Sequence, residues 1–450
     1  MPQRQHIAIV GGGASGTLLA WQLARQGLAG MTTLLDPAEA PGAGLAYSTS
    51  FPQHLVNVRN ETLSADPSDA GHLLRWVHAM HDPGAGPDGF IPRRWFGDYL
   101  RTLFRESGVR HRRGVAVAME RRSCGPVLLL ADGSRLHATH VVLATGNFPP
   151  PPLPELDDAA IASGRYHHDV WDPDALGRIG PDEDVVLIGT GLSTVDAVLR
   201  LRAQAHRGAL VAVSRRAWLP EVHRALTVPG SPVVGADVQA TARGYLAAFR
   251  RALRDGIPAA AAVDSLRATS NALWLALSEN EKRRFRRHLQ RRWDVVRRRM
   301  APMVGAAVTE ALRDESLTLR RGRVTAVRQD GDALAITVRT PGGTDTIRAG
   351  HAINTTGPDP RYGRGESPLL RTLLQEGLAV AGFEGEGLRC DADGAVLDRQ
   401  DRPTPDLFSL GPPRMGTLFE SVAIPEIRAQ AAALAAHLRE AIHPETARGG

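Results

Sequence analysis

The chain has 450 residues, of which 43% are apolar and 23% are charged, a balance typical of soluble globular proteins that excludes the disordered and fibrous classes. At roughly 150 residues per domain the length indicates about two or three domains, which is ample for an enzyme. The net charge of +6 does not predict a nucleic-acid partner, because the excess lies in residues 282–299, which hold ten Lys or Arg and one acid, and no nucleic-acid-binding motif accompanies them.

The first predicted unit opens with the strand HIAIV, then Gly11, Gly13 and Gly16 in G-x-G-x-x-G spacing, a helical pattern and the strand TTLLD. In a βαβ unit Gly11 permits a tight turn, Gly13 lets the backbone approach a pyrophosphate, and Gly16 lets the helix pack closely on the strand. Asp36 ends the second strand, where an acid accepts hydrogen bonds from a ribose. These features predict a dinucleotide cradle rather than a merely structural glycine turn.

Two later stretches, residues 109–148 and 317–357, show short alternating strands and then a strand that ends in Thr-Gly. Such a series is typical of a small β-meander followed by a return to a sheet. We expect the two stretches to be equivalent parts of two nucleotide-binding units.

A second cradle is predicted at DVVLIGTGLSTVDAVLRL, which keeps Gly189 and Gly191 but has Thr194 in the third glycine position. We expect Thr194 to space the helix slightly from the strand. The next strand, ALVAVSRR, ends in Arg215 and Arg216 where the first unit has an acid. Arginines at this place pair with a 2′-phosphate and favour NADP over NAD; the alternative is two surface arginines at a strand end.

Residues 236–305 have helical periodicity and predict a helical insertion within the second unit. The basic segment 282–299 is predicted to be one helix whose apolar stripe is Phe285, Leu289, Trp293, Val296 and Met300. It is expected to be mainly a packed, solvated helix, with a contribution to an anionic cofactor or substrate as the alternative. The C-terminal stretch predicts a strand, a glycine loop and a long helix from about Pro425.

The two cysteines, Cys124 and Cys390, form no CxxC pair and predict neither a disulfide framework nor a metal site, so we expect both to be buried thiols. No apolar segment has the form of a signal peptide or approaches about 18 residues. A cytoplasmic protein without membrane contact is expected.

Two successive cradles, the first ending in an acid and the second in arginines, resemble the flavoproteins with two dinucleotide-binding domains. Six stretches narrow the resemblance to a bacterial FAD-NAD(P)-binding family whose leading domain is shared with FAD-dependent urate hydroxylases and FAD-dependent aspartate N-monooxygenases. These stretches are GAGLAYSTSFPQHLVNV, LIGTGLSTVDAVL, VSRRAWLPEVH, RRWDVVRRRMAP, INTTGPD and LFESVAIPEIRAQA.

The resemblance implies an α/β fold with two Rossmann-like domains, each with a small β-meander, and a helical insertion in the second. The expected division is an FAD-binding domain in residues 1–150 and 351–450 and an NADPH-binding domain in residues 151–350, with the insertion at about 236–305. The cofactors implied are FAD and NADPH.

The resemblance also implies site residues. FAD would be held by Gly11, Gly13, Ser15, Gly16, Asp36, Thr145 and Gly146, with Gly44, Tyr47 and Asn57 in a loop directed towards the flavin ring. NADPH would be held by Gly189, Gly191, Ser193, Arg215 and Arg216. Many such flavoproteins have Gly-Asp at the last strand end, but this chain has Gly411-Pro412, so backbone groups from Gly411 to Thr417 are expected to replace the acid near the ribityl chain.

The activity implied is that of a monooxygenase in which NADPH reduces FAD, a C4a-hydroperoxyflavin forms with O₂, and a small nitrogen-containing substrate is hydroxylated. A urate-like heterocycle is favoured, and an aspartate-like amino acid is the alternative; both are anions that Arg59, Arg297 or Arg414 would suit. A flavin reductase or oxidase and a redox sensor remain open, whereas a disulfide reductase lacks its cysteine pair. No catalytic residue and no metal ligand is assigned, because the flavin carries the oxygen chemistry.

Overall fold

Two parallel sheets organise the chain in a computed structural model, which describes residues 5–172, 175–364 and 367–443. Within these ranges there are eighteen strands and fourteen α-helices. The strands are β1 (Ile7–Val10), β2 (Thr32–Asp36), β3 (Arg110–Arg113), β4 (Ala116–Arg122), β5 (Gly125–Leu130), β6 (Arg135–His137), β7 (His140–Leu143), β8 (Glu155–Leu156), β9 (Tyr166–His167), β10 (Val185–Ile188), β11 (Leu210–Ser214), β12 (Leu317–Arg321), β13 (Arg323–Asp330), β14 (Ala333–Thr340), β15 (Gly343–Ala349), β16 (His351–Asn354), β17 (Ala395–Leu397) and β18 (Pro403–Ser409). The helices are α1 (Ala14–Arg25), α2 (Gly44–Tyr47), α3 (His72–Met80), α4 (Arg93–Ser107), α5 (Asp158–Ala162), α6 (Leu192–Ala203), α7 (Ala242–Arg254), α8 (Ala259–Ser265), α9 (Ser270–Ala276), α10 (Glu279–His288), α11 (Gln290–Arg297), α12 (Pro302–Arg313), α13 (Pro368–Glu376) and α14 (Ile424–Ile442).

Four neighbouring strands have the same arrangement in the two sheets, β7-β1-β2-β3 in the first and β16-β10-β11-β12 in the second. The first has the strand order β17-β18-β7-β1-β2-β3 and the second β12-β11-β10-β16-β9, and the neighbouring strands are parallel except that β17 is antiparallel to β18. The central strands β1 and β10 are apolar and buried along their whole length, as parallel strands covered on both faces require. This repeated arrangement confirms the predicted pair of Rossmann-like units.

Each unit also carries a smaller sheet, as predicted. Strands β4, β5 and β6 pair antiparallel in the first unit, and β13, β14 and β15 do so in the second, where β8 adds a parallel edge. The second sheet includes β16, which begins at His351. The division of the chain into domains near residues 150 and 350 stays a prediction.

The long C-terminal helix packs beside α1 against the first sheet. Its buried residues include Ile427, Ala431, Leu434 and Leu438, which are spaced 4, 3 and 4 along the chain and so form one apolar stripe. The helix begins at Ile424, one residue before the predicted start. None of the described helices is both long enough and apolar enough to cross a lipid bilayer.

Helices α7 to α11 form the predicted insertion and have a core of their own. Tyr245, Leu266 and Trp274 are buried in it, and the half-buried Phe285 and Phe419 pack against them. Phe419 lies between β18 and α14, so the insertion contacts the loop that leads into the last helix.

The prediction of one continuous helix for the basic segment was wrong. Helix α10 ends at His288 and α11 begins at Gln290, with Leu289 between them at φ −116° and ψ −34°. Tertiary packing explains the break, because Phe285 on α10 and Trp293 on α11 both contact Phe419, each with ring centroids 5.4 Å apart.

Met300, the last residue of the predicted stripe, follows α11 and pairs through its backbone with Val222. Its side chain is buried in the core beneath α6 and α12 and not in the insertion. The stripe therefore serves two cores.

The expectation that both cysteines are buried was wrong for Cys124. It is exposed in the turn that joins β4 to β5, where a short antiparallel pair leaves the turn residues in solvent. Cys390 is buried as expected, and burial raises the pKa of its thiol to about 12.

Candidate dinucleotide-binding sites

Two of the three glycines in the first cradle are required by the packing of the protein itself. A Cβ on Gly11, which has φ +110°, would clash with the carbonyl oxygen of Ala144 at the end of β7. A Cβ on Gly16 would clash with the carbonyl oxygen of Gly11. These glycines set the tight turn and the close approach of α1 to β1, as their spacing predicts.

Gly13 has a different surrounding. A Cβ there would meet only the Cα of Gly44, at 3.6 Å, which is an ordinary contact distance. Gly13 also precedes α1 without any side chain capping the helix, so the first-turn N–H groups are left for another partner. The space that a side chain would fill lies where a pyrophosphate binds at a helix N-terminus, and this cradle therefore fits a dinucleotide.

Asp36 lies directly beside the glycine turn. Its Oδ2 accepts a hydrogen bond from the N–H of Gly12 at 2.6 Å, and its Oδ1 accepts one from the N–H of Ala38 at 2.8 Å. Each carboxylate oxygen has a further lone pair, so the same group remains able to accept ribose hydroxyls. The hydrogen bonds to the turn hold the carboxylate in place.

The return loop after β18 meets the start of α1. Gly411, at φ +76°, lies so close to Ser15 that a Cβ would clash with the serine hydroxyl, and its N–H donates to Oε1 of Gln430 at 3.0 Å. Thr417 has a different role. Its hydroxyl donates to the carbonyl of Cys390 at 3.2 Å and accepts from the N–H of Cys390 at 2.9 Å. The structure thus brings Ser15 and Gly411 together, whereas the Thr417 side chain fixes the loop.

Thr145 and Gly146 follow β7 beside the first glycine. Thr145 Oγ1 is buried without a hydrogen-bond partner among the described residues, and the carbonyl of Gly146 accepts from the Tyr362 hydroxyl at 2.6 Å. Thr145 thus adjoins Gly11, and a role of Thr145 and Gly146 in binding FAD stays a prediction.

The loop after β2 approaches the cradle and then the second unit. Gly44, at φ +53°, packs against Gly13, and Tyr47 lies half-buried with its ring centroid 4.7 Å from that of Phe96. Asn57 is more distant in the chain, and its carbonyl accepts from Nε2 of His223 in the second unit at 3.0 Å. The segment therefore lies along the interface between the units.

The second cradle repeats the pattern of the first. A Cβ on Gly189, at φ +140°, would clash with the carbonyl of Thr355 after β16, whereas a Cβ on Gly191 would meet nothing within 4 Å. Gly191 precedes α6 without a side-chain cap, and Ser193 lies half-buried in the first turn. Thr194, in the third glycine position, is buried, and its hydroxyl is 2.8 Å from that of Thr355.

Arg215 and Arg216 are exposed after β11, at the carboxyl edge where the second cradle opens. The guanidinium of Arg216 lies 5.2 Å from the centre of the Trp218 ring, and that of Arg292 lies 5.4 Å from it. Arg291 donates to the carbonyl of Trp218 at 2.7 Å.

Helix α11 thus places two further arginines near the predicted pair, and the alternative expected for the basic segment, a contribution to an anionic cofactor or substrate, stays a prediction. Burial lowers the pKa of Arg291 most, and the nearby charge of Arg215 lowers it further. Arg291 also donates to the carbonyl of Thr190, within the glycine turn itself, at 3.3 Å.

The three arginines expected to suit an anionic substrate are held by the protein. Arg414 is buried and donates to the carbonyls of Asp391 and Ala392. Arg297 is buried between Glu420 and Glu426, at 3.4 Å from each. Arg59 pairs with Asp88 and donates to the carbonyl of Arg224 at 3.1 Å. Each of the three arginines therefore has partners of its own within the protein.

Comparison with known proteins agrees with this geometry. Residues 8–148, which contain the first cradle, match the model of a family described as FAD-NAD(P)-binding. No curated protein sequence matches the chain significantly.

Solved structures share the fold over nearly the whole chain. Ornithine N-hydroxylase from Kutzneria sp. 744 has a TM-score of 0.67 at 15% identity, with 98% of this chain and 100% of that chain covered. L-lysine 6-monooxygenase from Pseudomonas syringae has a TM-score of 0.67 at 14% identity with the same coverage. Thioredoxin reductase from Lactococcus lactis is less similar, with a TM-score of 0.53 at 13% identity over 96% of this chain and 97% of that chain.

Proposed function

We propose that the chain is an FAD-dependent, NADPH-using monooxygenase that hydroxylates nitrogen in a small substrate. The observation that carries the proposal is the pair of open cradles, one at Gly13 beside an acid and one at Gly191 beside arginines, in a single chain. One cradle suits a resident flavin nucleotide and the other a visiting phosphorylated reductant.

The first cradle would hold FAD through the first-turn N–H groups of α1 on the pyrophosphate and through Asp36 on the adenosine ribose. The rest of FAD would be surrounded by Ser15, Gly411 and the backbone up to Thr417. These groups would take the place of the acid that many such flavoproteins have where this chain has Pro412. The second cradle would hold NADPH, with Ser193 near the pyrophosphate and Arg215 and Arg216 on the 2′-phosphate.

FAD, when bound, supplies hydride acceptance and oxygen activation. The chain supplies binding, orientation and exclusion of water between the two units. The overall reaction proposed is R–NH₂ + O₂ + NADPH + H⁺ → R–NHOH + NADP⁺ + H₂O. One N–O bond forms, the O–O bond breaks, and NADPH provides the two electrons that reduce the second oxygen atom to water.

Hydroxylation of a nitrogen atom is now the favoured reaction, in place of the hydroxylation of a urate-like heterocycle. The structures with TM-scores of 0.67 are named as an ornithine N-hydroxylase and an L-lysine 6-monooxygenase, and urate finds no support among the comparisons. The arginines suggested for a urate anion are already paired within the protein.

A thiol-disulfide reductase shares the fold but not the chemistry. Such an enzyme needs a low-pKa cysteine beside a second cysteine. Cys390 is buried with a raised pKa, and Cys124 is exposed in a distant β-turn.

Three measurements test the proposal. Denatured protein should release FAD and not FMN, because the first cradle binds the adenosine half of the cofactor. NADPH should reduce the flavin under anaerobic conditions. Turnover under ¹⁸O₂ with a panel of amines and amino acids should place one labelled atom in the product, and formation of hydrogen peroxide alone with every candidate would instead indicate an oxidase or reductase.

A further inference from the structure

A cavity of about 480 Å³ lies in the helical insertion, and none of its lining residues belongs to either glycine turn. Its walls come from helices α7 to α11 and from the loop before α14. They include Tyr245, Phe249, Trp274, Phe285, Trp293 and Phe419. A volume of this size fits a drug-sized molecule and exceeds what a compact polar metabolite fills.

The walls are mainly apolar, and the two hydroxyl groups among them are already hydrogen-bonded. The Tyr245 hydroxyl donates to the carbonyl of Leu273 at 3.0 Å, and the Ser270 hydroxyl donates to that of Arg267 at 3.2 Å. Among the described residues that line the cavity there is no carboxylate. A cationic ammonium would therefore lose its hydration here without gaining a partner, which is strongly unfavourable.

Two guanidinium groups and one imidazole instead occur among the exposed lining residues. Arg250, His288 and Arg292 line the cavity and are exposed to solvent. A ligand with an apolar body and one anionic group would place the body against the aromatic walls and the anion beside these side chains.

The cavity contacts the segment that directly follows the loop which the proposed function places around FAD. Phe419 stacks on Trp274 with ring centroids 5.1 Å apart. Oδ1 of Asn271 on α9 accepts from the N–H groups of Phe419 and Glu420 at 2.9 and 2.8 Å, and its Nδ2 donates to the Glu420 carbonyl at 3.0 Å. The wall at Phe419 thus belongs both to the cavity and to the segment between Gly411 and α14.

We propose that this cavity binds the substrate and that the substrate is an arylamine carrying an anionic group. The inference rests on the proposed function, because it names the nitrogen that the flavin reaction oxidises. An aromatic amine is neutral near pH 7, so it enters apolar walls without an unpaired charge, whereas the primary ammonium of an aliphatic amino acid does not. Arg250 and Arg292 would donate hydrogen bonds to the anionic group.

Binding is tested by calorimetry on the FAD-loaded protein with three probes. The expected order of affinity is 4-(4-aminophenyl)butyrate, then 4-butylaniline, then 6-aminohexanoate. Loss of the carboxylate should weaken binding by only about 3-fold, because the partner cations are solvated. The aliphatic probe should bind at least roughly 100-fold more weakly than the first. An aliphatic ammonium that binds as tightly as the arylamine overturns the inference.

Two variants with matched controls locate the binding. Leu246→Trp fills the cavity and should lower the affinity for the arylamine by roughly 10-fold or more. Leu275→Trp, at an exposed position of α9 outside the cavity, should leave that affinity unchanged. Arg250→Gln should lower the affinity for 4-(4-aminophenyl)butyrate and not that for 4-butylaniline. Arg251→Gln, on the same helix, is the control. Equal affinity of wild type and Leu246→Trp would place the ligand elsewhere and refute the proposal.

Turnover separates this inference from the proposed function. Labelled oxygen in the product of the arylamine supports both the inference and the proposed function if the label is lost when Leu246→Trp replaces the wild type. Labelled oxygen only in aspartate, ornithine or lysine overturns the arylamine assignment and leaves the monooxygenase intact. Absence of label from every compound sinks the monooxygenase, and with it the assignment of the cavity to substrate, even where calorimetry detects binding.

Discussion

Replacement of Gly13 by valine should remove flavin binding without disturbing the fold. Gly13 has φ −75° and ψ −165°, a conformation open to any residue, and its added Cβ would meet only Gly44 at 3.6 Å. The position therefore has room for a Cβ in the protein alone, and Gly→X changes at such positions alter stability by about 1 kcal/mol or less.

The effect on FAD should be much larger, because the side chain occupies the space of the pyrophosphate. Each charge-assisted hydrogen bond lost from the first turn of α1 is worth about 1.5 to 3 kcal/mol, or roughly 10- to 150-fold in affinity. Loss of two such bonds leaves no flavin in the purified protein. The assay is the FAD content after purification and reconstitution, together with the circular dichroism spectrum.

Two further variants make the experiment decisive. Gly16→Ala forces a Cβ onto the carbonyl of Gly11 and should prevent folding, which distinguishes a packing glycine from a ligand-facing one. Gly191→Val makes the same change in the second cradle, where a Cβ meets nothing within 4 Å, so it should retain FAD and lose NADPH. A yellow, fully loaded Gly13→Val protein would refute the placement of the pyrophosphate.

Three other outcomes are expected. NADPH should reduce the flavin with a much lower KM than NADH, and the double variant Arg215→Ala and Arg216→Ala should erase most of a preference of roughly 10- to 150-fold; equal use of both coenzymes by the wild type contradicts the assignment. A hydrogen bond from Arg165 is the main cause that lowers the pKa of Glu183 to about 2, so the free energy of unfolding should fall as the pH drops from about 4.5 to 2, and Glu183→Gln should flatten that dependence in acid titrations. Cys390→Ala should leave NADPH-driven hydroxylation rates unchanged, whereas loss of turnover with an intact fold would reopen thiol chemistry.

The cradles were predictable because each depends on residues close together in the chain. The glycine spacing fixes a turn, a helix start and a close strand contact within about twenty residues, and the arginines after β11 follow directly on a predicted strand. Thr194 was recognised as a departure, but its hydroxyl contact with Thr355 depends on a strand 161 positions later.

Features that depend on long-range packing were not predictable. The break at Leu289 follows from Phe419, a residue on another segment, and no periodicity in the basic segment indicates it. The same is true of Arg297, whose charge is neutralised by Glu420 and Glu426 from beyond the second sheet. Charge in a sequence indicates an anion site only when the partners of each cation are known.

The interface between the units provides the last prediction. Arg93 on α4 forms a two-pronged ion pair with Asp196 on α6, at 2.8 and 3.2 Å, and the side chains are only 12% and 8% exposed. Asp196→Ala should lower the free energy of unfolding by about 3 to 5 kcal/mol, because it leaves a guanidinium buried without a partner, and Arg93→Met in addition should recover most of that loss. The more exposed pair of Arg202 with Asp314 is the control, and Asp314→Ala should lower the free energy of unfolding much less than Asp196→Ala does. Urea unfolding that gives the same cost for both alanine variants would show that the Arg93 pair is solvated, and the closed, water-excluding interface inferred for the two units would then have to be abandoned.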